Sequence, residues 1–295
     1  MPSKDPMRER TKAYAAGLMD AEGCFSIYKP TVKEGGKVTS YQPRIVLSSV
    51  ELSLVKWLVD TFGGFYTKHT PARGQVWYQW NVNGRNAAPQ FLSYILPYLR
   101  IKKAEALVLR EFYNLGDQQN PSRRKELMNT IRGMKNRECV TTDTLDGTVE
   151  DKLTHAYISG IMDGEGCISA AFTPDEKPML RIRMGNNYAP LVQMFLRLYG
   201  GWFHTQAAKD NTKEFYTWEL TGKENRERFL LQVLPYLRIK RPQAKIALEL
   251  VRLPRTPNRR LRKKLCDAIR LLNGPKTQSV LVGDDESAPV EIPTA

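Results

Sequence analysis

The chain has 295 residues, with 45 Lys and Arg against 31 Asp and Glu, a formal net charge of +14. Hydrophobic residues make up 41% and charged residues 26%, which argues against wholesale disorder and suits a folded chain with one large core or two ordinary ones. No run of about 18 apolar residues occurs, so no membrane-spanning helix is expected. The opening MPSKDPMRERTK lacks the apolar stretch of a secretory signal.

In chain order, the pattern predicts an apolar helix ending near Met19, a strand over 24–29 and a second strand over 41–49. A helix follows, with Leu54, Val55, Leu58, Val59 and Phe62 at helical spacing, stopped by Gly63-Gly64. Two strands rich in aromatic and β-branched residues come next, over 65–69 and 76–82. Another helix leads to Leu96-Pro97-Tyr98-Leu99, where proline breaks it, and a last helix begins near Lys102.

The same order then repeats. Ala13-Tyr-Ala-Ala-Gly-Leu-Met-Asp-Ala-Glu-Gly-Cys24 returns as Ala156-Tyr-Ile-Ser-Gly-Ile-Met-Asp-Gly-Glu-Gly-Cys167, and Leu96-Pro-Tyr-Leu-Arg-Ile-Lys102 returns unchanged as Leu234 to Lys240. Gly200-Gly201, Trp218 and Phe229-Leu230 match Gly63-Gly64, Trp80 and Phe91-Leu92. Strands over 167–172 and 180–186 hold the places of the first two. A period this long means two copies of one unit, not a solenoid. The expected organisation is residues 1–115 for the first unit, 116–152 for a linker with a short basic helix, 153–273 for the second unit and 274–295 for a disordered tail. The fold class is α+β.

The four cysteines, Cys24, Cys139, Cys167 and Cys266, form no Cys-x-x-Cys pair, so reduced thiols in an intracellular compartment are expected. His69, His155 and His204 lack zinc-type spacing. The positive charge points to a polyanion, nucleic acid ahead of membrane.

Ala15, Ala16 and Gly17, with Ser159 and Gly160, give each unit a helix whose small residues suit close packing on its counterpart. Each helix ends in two acids, Asp20 and Glu22 or Asp163 and Glu165, where the helix dipole disfavours negative charge. Side by side, Glu22 and Glu165 would repel by about 4 kcal/mol at ~4 Å and an effective dielectric near 20. Divalent cations are the natural compensation, and carboxylate oxygens with water favour Mg2+. Solvated turn acids are the alternative, but they do not account for Asp-x-Glu-Gly at both helix ends.

These two segments resemble the LAGLIDADG motif of the homing endonuclease family in its single-chain, two-motif form, with Glu where Asp is commoner. The resemblance covers roughly 8–273. It implies two αββαββα units packed through their motif helices, with antiparallel sheets forming a saddle on double-stranded DNA. It also implies a monomer, metal binding by Glu22 and Glu165 with help from the Ala21 and Gly164 carbonyls, and lysines near the scissile phosphate, matched by Lys102 and Lys240. Asn186 and its counterpart Ser49 match a polar position that orders water. Asp20 and Asp163 are expected to shape the helix-to-strand turn. Mn2+ or Ca2+ can occupy a site of this kind.

Strand alternation separates two faces. Tyr78, Trp80 and Val82, and Tyr216, Trp218 and Leu220, are expected against the helices. Ser26, Tyr28, Arg44, Lys68, Gln75, Trp77, Gln79 and Asn81 in the first unit are expected toward DNA. Ser169, Arg181, Arg183, Phe215, Thr217 and Glu219 are their second-unit counterparts. These outward sets differ between copies, as reading of two unlike half-sites requires. Arg123, Arg124, Lys125, Arg259, Arg260, Arg262, Lys263 and Lys264 would meet phosphates or solvent. The implied activity is site-specific double-strand cleavage of a long, near-palindromic target, of the intron-homing type. A non-cleaving regulator or an RNA-binding maturase on the same fold are the alternatives. Organelle, bacterial cytoplasm and phage-infected cell are equally compatible locations.

Overall fold

The computed structural model describes residues 6–30, 41–115, 120–136, 152–173, 177–208, 213–254 and 258–274. The first unit runs α1 (Pro6–Glu22), β1 (Gly23–Tyr28), β2 (Gln42–Ser49), α2 (Leu52–Phe62), β3 (Phe65–His69), β4 (Trp77–Val82), α3 (Ala87–Ile95), α4 (Lys103–Asn114) and α5 (Pro121–Asn136). The second repeats this order as α6 (Lys152–Glu165), β5 (Gly166–Phe172), β6 (Pro178–Asn186), α7 (Ala189–Tyr199), β7 (Trp202–Gln206), β8 (Phe215–Glu219), α8 (Lys223–Val233), α9 (Arg241–Arg252) and α10 (Arg259–Leu272). Each unit has one antiparallel four-stranded sheet, ordered β1-β2-β4-β3 and β5-β6-β8-β7. The fold is α+β, with helices covering one face of each sheet.

The repeated aromatic and glycine positions hold equivalent contacts. The buried Trp80 donates its indole N–H to the Gly63 carbonyl at 3.0 Å, and Trp218 donates to the Gly200 carbonyl at 2.6 Å. Each indole thereby satisfies its polar atom at the end of α2 or α7 while its rings fill the core. Phe91 packs edge-on to Trp80 at 4.9 Å, and Phe229 lies 5.5 Å from Trp218. Phe25, Ile27, Ile45, Leu47 and Val82 complete the helix-facing side of the first sheet; Ile168, Ile182, Met184 and Leu220 do so in the second.

The segment between the units is less of a linker than its composition suggests. α5 is a 16-residue helix packed on α4 and β1, with Leu127, Met128 and Ile131 buried. α10 packs in the same way on α9 and β5. Arg123 is held by Glu111 and Glu126 at 2.7 Å each, and the buried Arg124 lies over the Phe112 ring at 4.5 Å. Arg124 is therefore committed to the first unit's packing, while Arg123 stays at the surface in its ion pairs. Cys139 and the tail from 275 onward lie outside the described residues; among the described residues no disulfide joins Cys24, Cys167 or Cys266. Among the described residues no helix is long and apolar enough to cross a membrane.

The two units meet along α1 and α6, which make the most extensive contact between any two elements. Small residues allow it. A Cβ placed on Gly17 would stand 2.0 Å from the Tyr157 carbonyl oxygen, and one on Gly160 would stand 2.2 Å from that of Tyr14. Only hydrogen fits at either position, so the two backbones touch. The helices share an end: a Cβ on Gly164 would meet Ala21 at 2.6 Å and the Glu22 Cγ at 3.0 Å.

Candidate active site and nucleic-acid face

Glu22 is the last residue of α1 and Glu165 the last of α6, and each is followed at once by a strand. The turn is so sharp that a Cβ on Gly23 would lie 2.7 Å from the Met19 carbonyl, and one on Gly166 would lie 2.6 Å from that of Met162. Glycine after each glutamate therefore lets the chain leave the helix directly into the sheet. The seam glycines bring the two glutamates together. Burial, then the charge of Glu22, raises the Glu165 pKa above the ordinary carboxylate range. Asn186 donates to Glu165 at 3.4 Å, while its Oδ1 accepts the Tyr188 N–H at 2.8 Å. Ser49 accepts the Glu51 N–H at 3.0 Å in the equivalent turn.

Lys102 and Lys240 converge on the same place from the starts of α4 and α9. Lys102 Nζ donates to the carbonyls of Met19, Ala21 and Gly23 at 3.0, 3.2 and 2.7 Å, and so satisfies the free end of α1. Lys240 Nζ donates to the Asp163 carbonyl at 2.6 Å. Burial lowers the pKa of both lysines, and the charges of both Glu22 and Glu165 oppose the shift at Lys240. The Ala21 carbonyl, expected to assist a metal, is engaged by Lys102.

Asp20 and Asp163 have a different task from shaping the turn. Asp20 is buried and accepts the N–H groups of Arg100, Ile101 and Lys102 at 2.8, 3.1 and 2.8 Å. Asp163 accepts those of Arg238, Ile239 and Lys240 at 2.7, 3.2 and 2.9 Å. Each carboxylate thus holds the loop that leads into α4 or α9 and ends on its unit's lysine. Burial raises the Asp20 pKa, opposed by these hydrogen bonds. The partners lie about eighty residues away, so no local motif could announce the contact.

The donor set fits a hard divalent cation. Two carboxylates converge, and burial together with like charge works against the ionised form of one of them. Among the described residues no three His, Cys, Asp or Glu side chains gather as a metal site, so water, backbone or phosphate oxygens would complete the coordination. A cleft of 480 Å3 opens here, lined by Glu22, Gly164 and Lys240 with Ser49, Gln75 and Trp77.

The sheet faces away from the helices carry the polar residues. The ladder places Ser26 opposite Arg44, Ser48 opposite Gln79, and Ser169 opposite Arg181. Arg44 donates to Gln79 at 2.8 Å, and Gln79 donates to Ser48 at 3.3 Å. Tyr28 donates to Gln42 at 3.1 Å, and Trp77 stacks on His69 at 3.8 Å. In the second unit Arg183 holds Glu219 at 2.6 Å, with Arg181 at 3.8 Å; Thr217 and the exposed Phe215 share that face.

Two expected contacts do not belong to this set. Lys68 pairs with Tyr78, which places it on the face that carries Trp80, the helix side. β3 is an edge strand exposed on most of its length, so its sequence gives no inward–outward alternation to read. Asn81 is on the expected face but only 7% exposed, between Val46 and Phe65 in the ladder, and donates to the Gln79 carbonyl at 3.0 Å. Trp202, 63% exposed, and His204 are additions to that face; their ladder partners Glu219 and Thr217 were the available signal.

A family model described as LAGLIDADG endonuclease matches residues 15–109, the span from α1 to the lysine-bearing α4. The crystal structure of the LAGLIDADG homing endonuclease I-GzeII in complex with its DNA target matches with a TM-score of 0.63 at 16% identity, over 88% of this chain and 97% of that one. The first unit thus carries the match to the LAGLIDADG endonuclease model, and the chain as a whole shares the fold of these endonucleases. The DNA endonuclease I-CvuI of Chlorella vulgaris is 25% identical over 142 residues, 44% of this chain and 86% of that protein. The LAGLIDADG homing endonuclease I-SmaMI bound to cleaved DNA matches with a TM-score of 0.65 at 14% identity, over 92% of this chain and 98% of that one. I-SmaMI has also been solved on an uncleaved target with calcium ions.

Proposed function

We propose that this protein is a site-specific double-strand DNA endonuclease of the homing type, acting as a monomer in an intracellular compartment with Mg2+ as its metal. The observation that carries this reading is the convergence of Glu22 and Glu165 at the α1–α6 seam, with Lys102 and Lys240 beside them. Glu22 and Glu165 would hold the metal. When bound, a divalent ion supplies Lewis-acid activation of water and neutralises charge on the departing oxygen.

The chain's own groups do the rest. The lowered pKa of Lys102 and Lys240 suits them to hold or yield a proton beside a phosphate. Asn186 fixes one side of Glu165. The polar faces of the two sheets, unlike in detail, would read the two halves of a long target in the major groove, where each base pair shows a distinct edge. Phosphate contacts by the surrounding basic residues would make affinity fall with salt. No observation favours the maturase or non-cleaving alternative.

Cleavage of a randomised duplex library with Mg2+, and with a chelator in its place, tests the reading. Double-strand cuts at one recovered sequence, present only with metal, are expected. Sequence-selective binding with no metal-dependent cut would overturn it.

A further inference from the structure

Each motif helix carries one tyrosine that reaches across the seam. Tyr157 of the second unit donates its hydroxyl to Asp20 of the first at 2.8 Å, and Tyr14 of the first donates to Asp163 of the second at 2.7 Å. Both tyrosines are buried, with pKa values raised by burial first, so each remains a donor. The accepting carboxylates are the ones that hold the Arg100–Lys102 and Arg238–Lys240 backbones. A chain of direct contacts therefore runs from a tyrosine on one unit, through the other unit's aspartate, to that unit's active-site lysine.

The arginine of each loop closes the chain into a ring. Arg100 lies over the Tyr157 ring at 4.6 Å and donates to Thr154 at 3.2 Å, both on α6 of the opposite unit. Arg238 lies over the Tyr14 ring at 5.6 Å and over Trp57 at 3.8 Å, both on the opposite unit. Each lysine-bearing loop is thus gripped by its own aspartate and by the other unit's helix. Within each unit the aspartate already holds the loop; the tyrosine and arginine contacts are made only between units.

We propose that Tyr14 and Tyr157 are positioning residues, each setting the lysine of the opposite unit through that unit's aspartate. The proposal rests on the nuclease reading for its consequence, not for its geometry. Tyr157→Phe removes one of four donors to Asp20 and leaves the ring in place, so the protein keeps its seam packing. Lys102 should then leave the end of α1 more often, while Lys240 stays put. Tyr14→Phe should do the reverse.

The test has two arms on the full chain. In the first, without DNA or metal, pulsed acetic-anhydride labelling with peptide mass spectrometry compares Lys102 and Lys240 with exposed Lys56 and Lys245. The expected result is a rise of about fivefold in labelling of Lys102 alone in Tyr157→Phe, and of Lys240 alone in Tyr14→Phe, the equivalent of one ordinary hydrogen bond. In the second arm, a recovered target labelled differently on its two strands is cut. Tyr157→Phe and Tyr14→Phe should slow opposite strands and accumulate opposite nicked products. No change at either lysine, or equal change at both, overturns the linkage. Wild-type protein that leaves DNA intact would overturn the nuclease reading, while the labelling arm still decides the linkage.

Discussion

Gly160→Ala is the smallest change that separates the two units. The added Cβ would sit 2.2 Å from the Tyr14 carbonyl oxygen and 2.7 Å from the Leu18 nitrogen. Carbon and carbonyl oxygen approach to roughly 3.3 Å at best, so α6 must back away from α1 by about 1 Å. A gap of that size forfeits a quarter to a half of the dispersion energy at each affected contact. The obstacle is backbone, so no rotamer change relieves it. Overpacking of this kind costs about 1–3 kcal/mol, and the better helix propensity of alanine offsets about 1 kcal/mol. Backbone contact favours the upper end, a net loss of about 2 kcal/mol, read as a fall in Tm of roughly 4–8 °C for a chain of this size. Gly133→Ala is the control: Gly133 lies in α5, and its Cβ would meet nothing within 4 Å. It should gain up to about 1 kcal/mol from propensity. Calorimetric unfolding of both variants tests the argument. A Gly160→Ala protein as stable as Gly133→Ala would refute the backbone contact at the seam.

Glu165→Gln should raise stability, because burial and the Glu22 charge disfavour the ionised form in the folded protein. The folded pKa lies above the unfolded one, so the penalty is absent below the unfolded pKa and complete above the folded one. The gain in Tm should therefore be largest near neutral pH and vanish as pH falls below the ordinary glutamate range; a gain independent of pH would contradict the assignment. Glu219→Gln should free Arg183 and Arg181 from their shared carboxylate, tightening DNA binding and steepening the log–log salt dependence by about 0.9; weaker binding with an unchanged slope would mean that Glu219 reads a base. Lys102→Met should abolish metal-dependent cutting of at least one strand and lower Tm, since it strips three carbonyls of their donor; full cutting would remove Lys102 from the chemistry.

The element order was legible because the duplication repeats inward-facing residues. Trp80 and Trp218, with the Gly63 and Gly200 carbonyls they bond, are constrained by packing in both units alike. Glu22 and Glu165 were legible for the same reason, as acids placed where a helix end disfavours them. The roles of Asp20 and Asp163 were not, since their backbone partners come from a distant loop and their tyrosines from the other unit. The face of Lys68 was not legible, because its edge strand is exposed on most of its length and shows no alternation. The basic helix expected between the units is α5, but its basic surface hides the apolar stripe of Leu127, Met128 and Ile131 that packs it on the first unit. The net charge of +14 drew attention to basic residues, several of which are committed to packing or to ion pairs within the fold.

The most direct test of the central claim is to measure binding and cutting of one recovered target by wild type, Glu22→Gln and Glu165→Gln under the same Mg2+ and salt conditions. Near wild-type affinity is expected in both variants, with double-strand cleavage abolished in each. Wild-type cleavage by either variant would contradict the assignment of the seam carboxylates as the metal site.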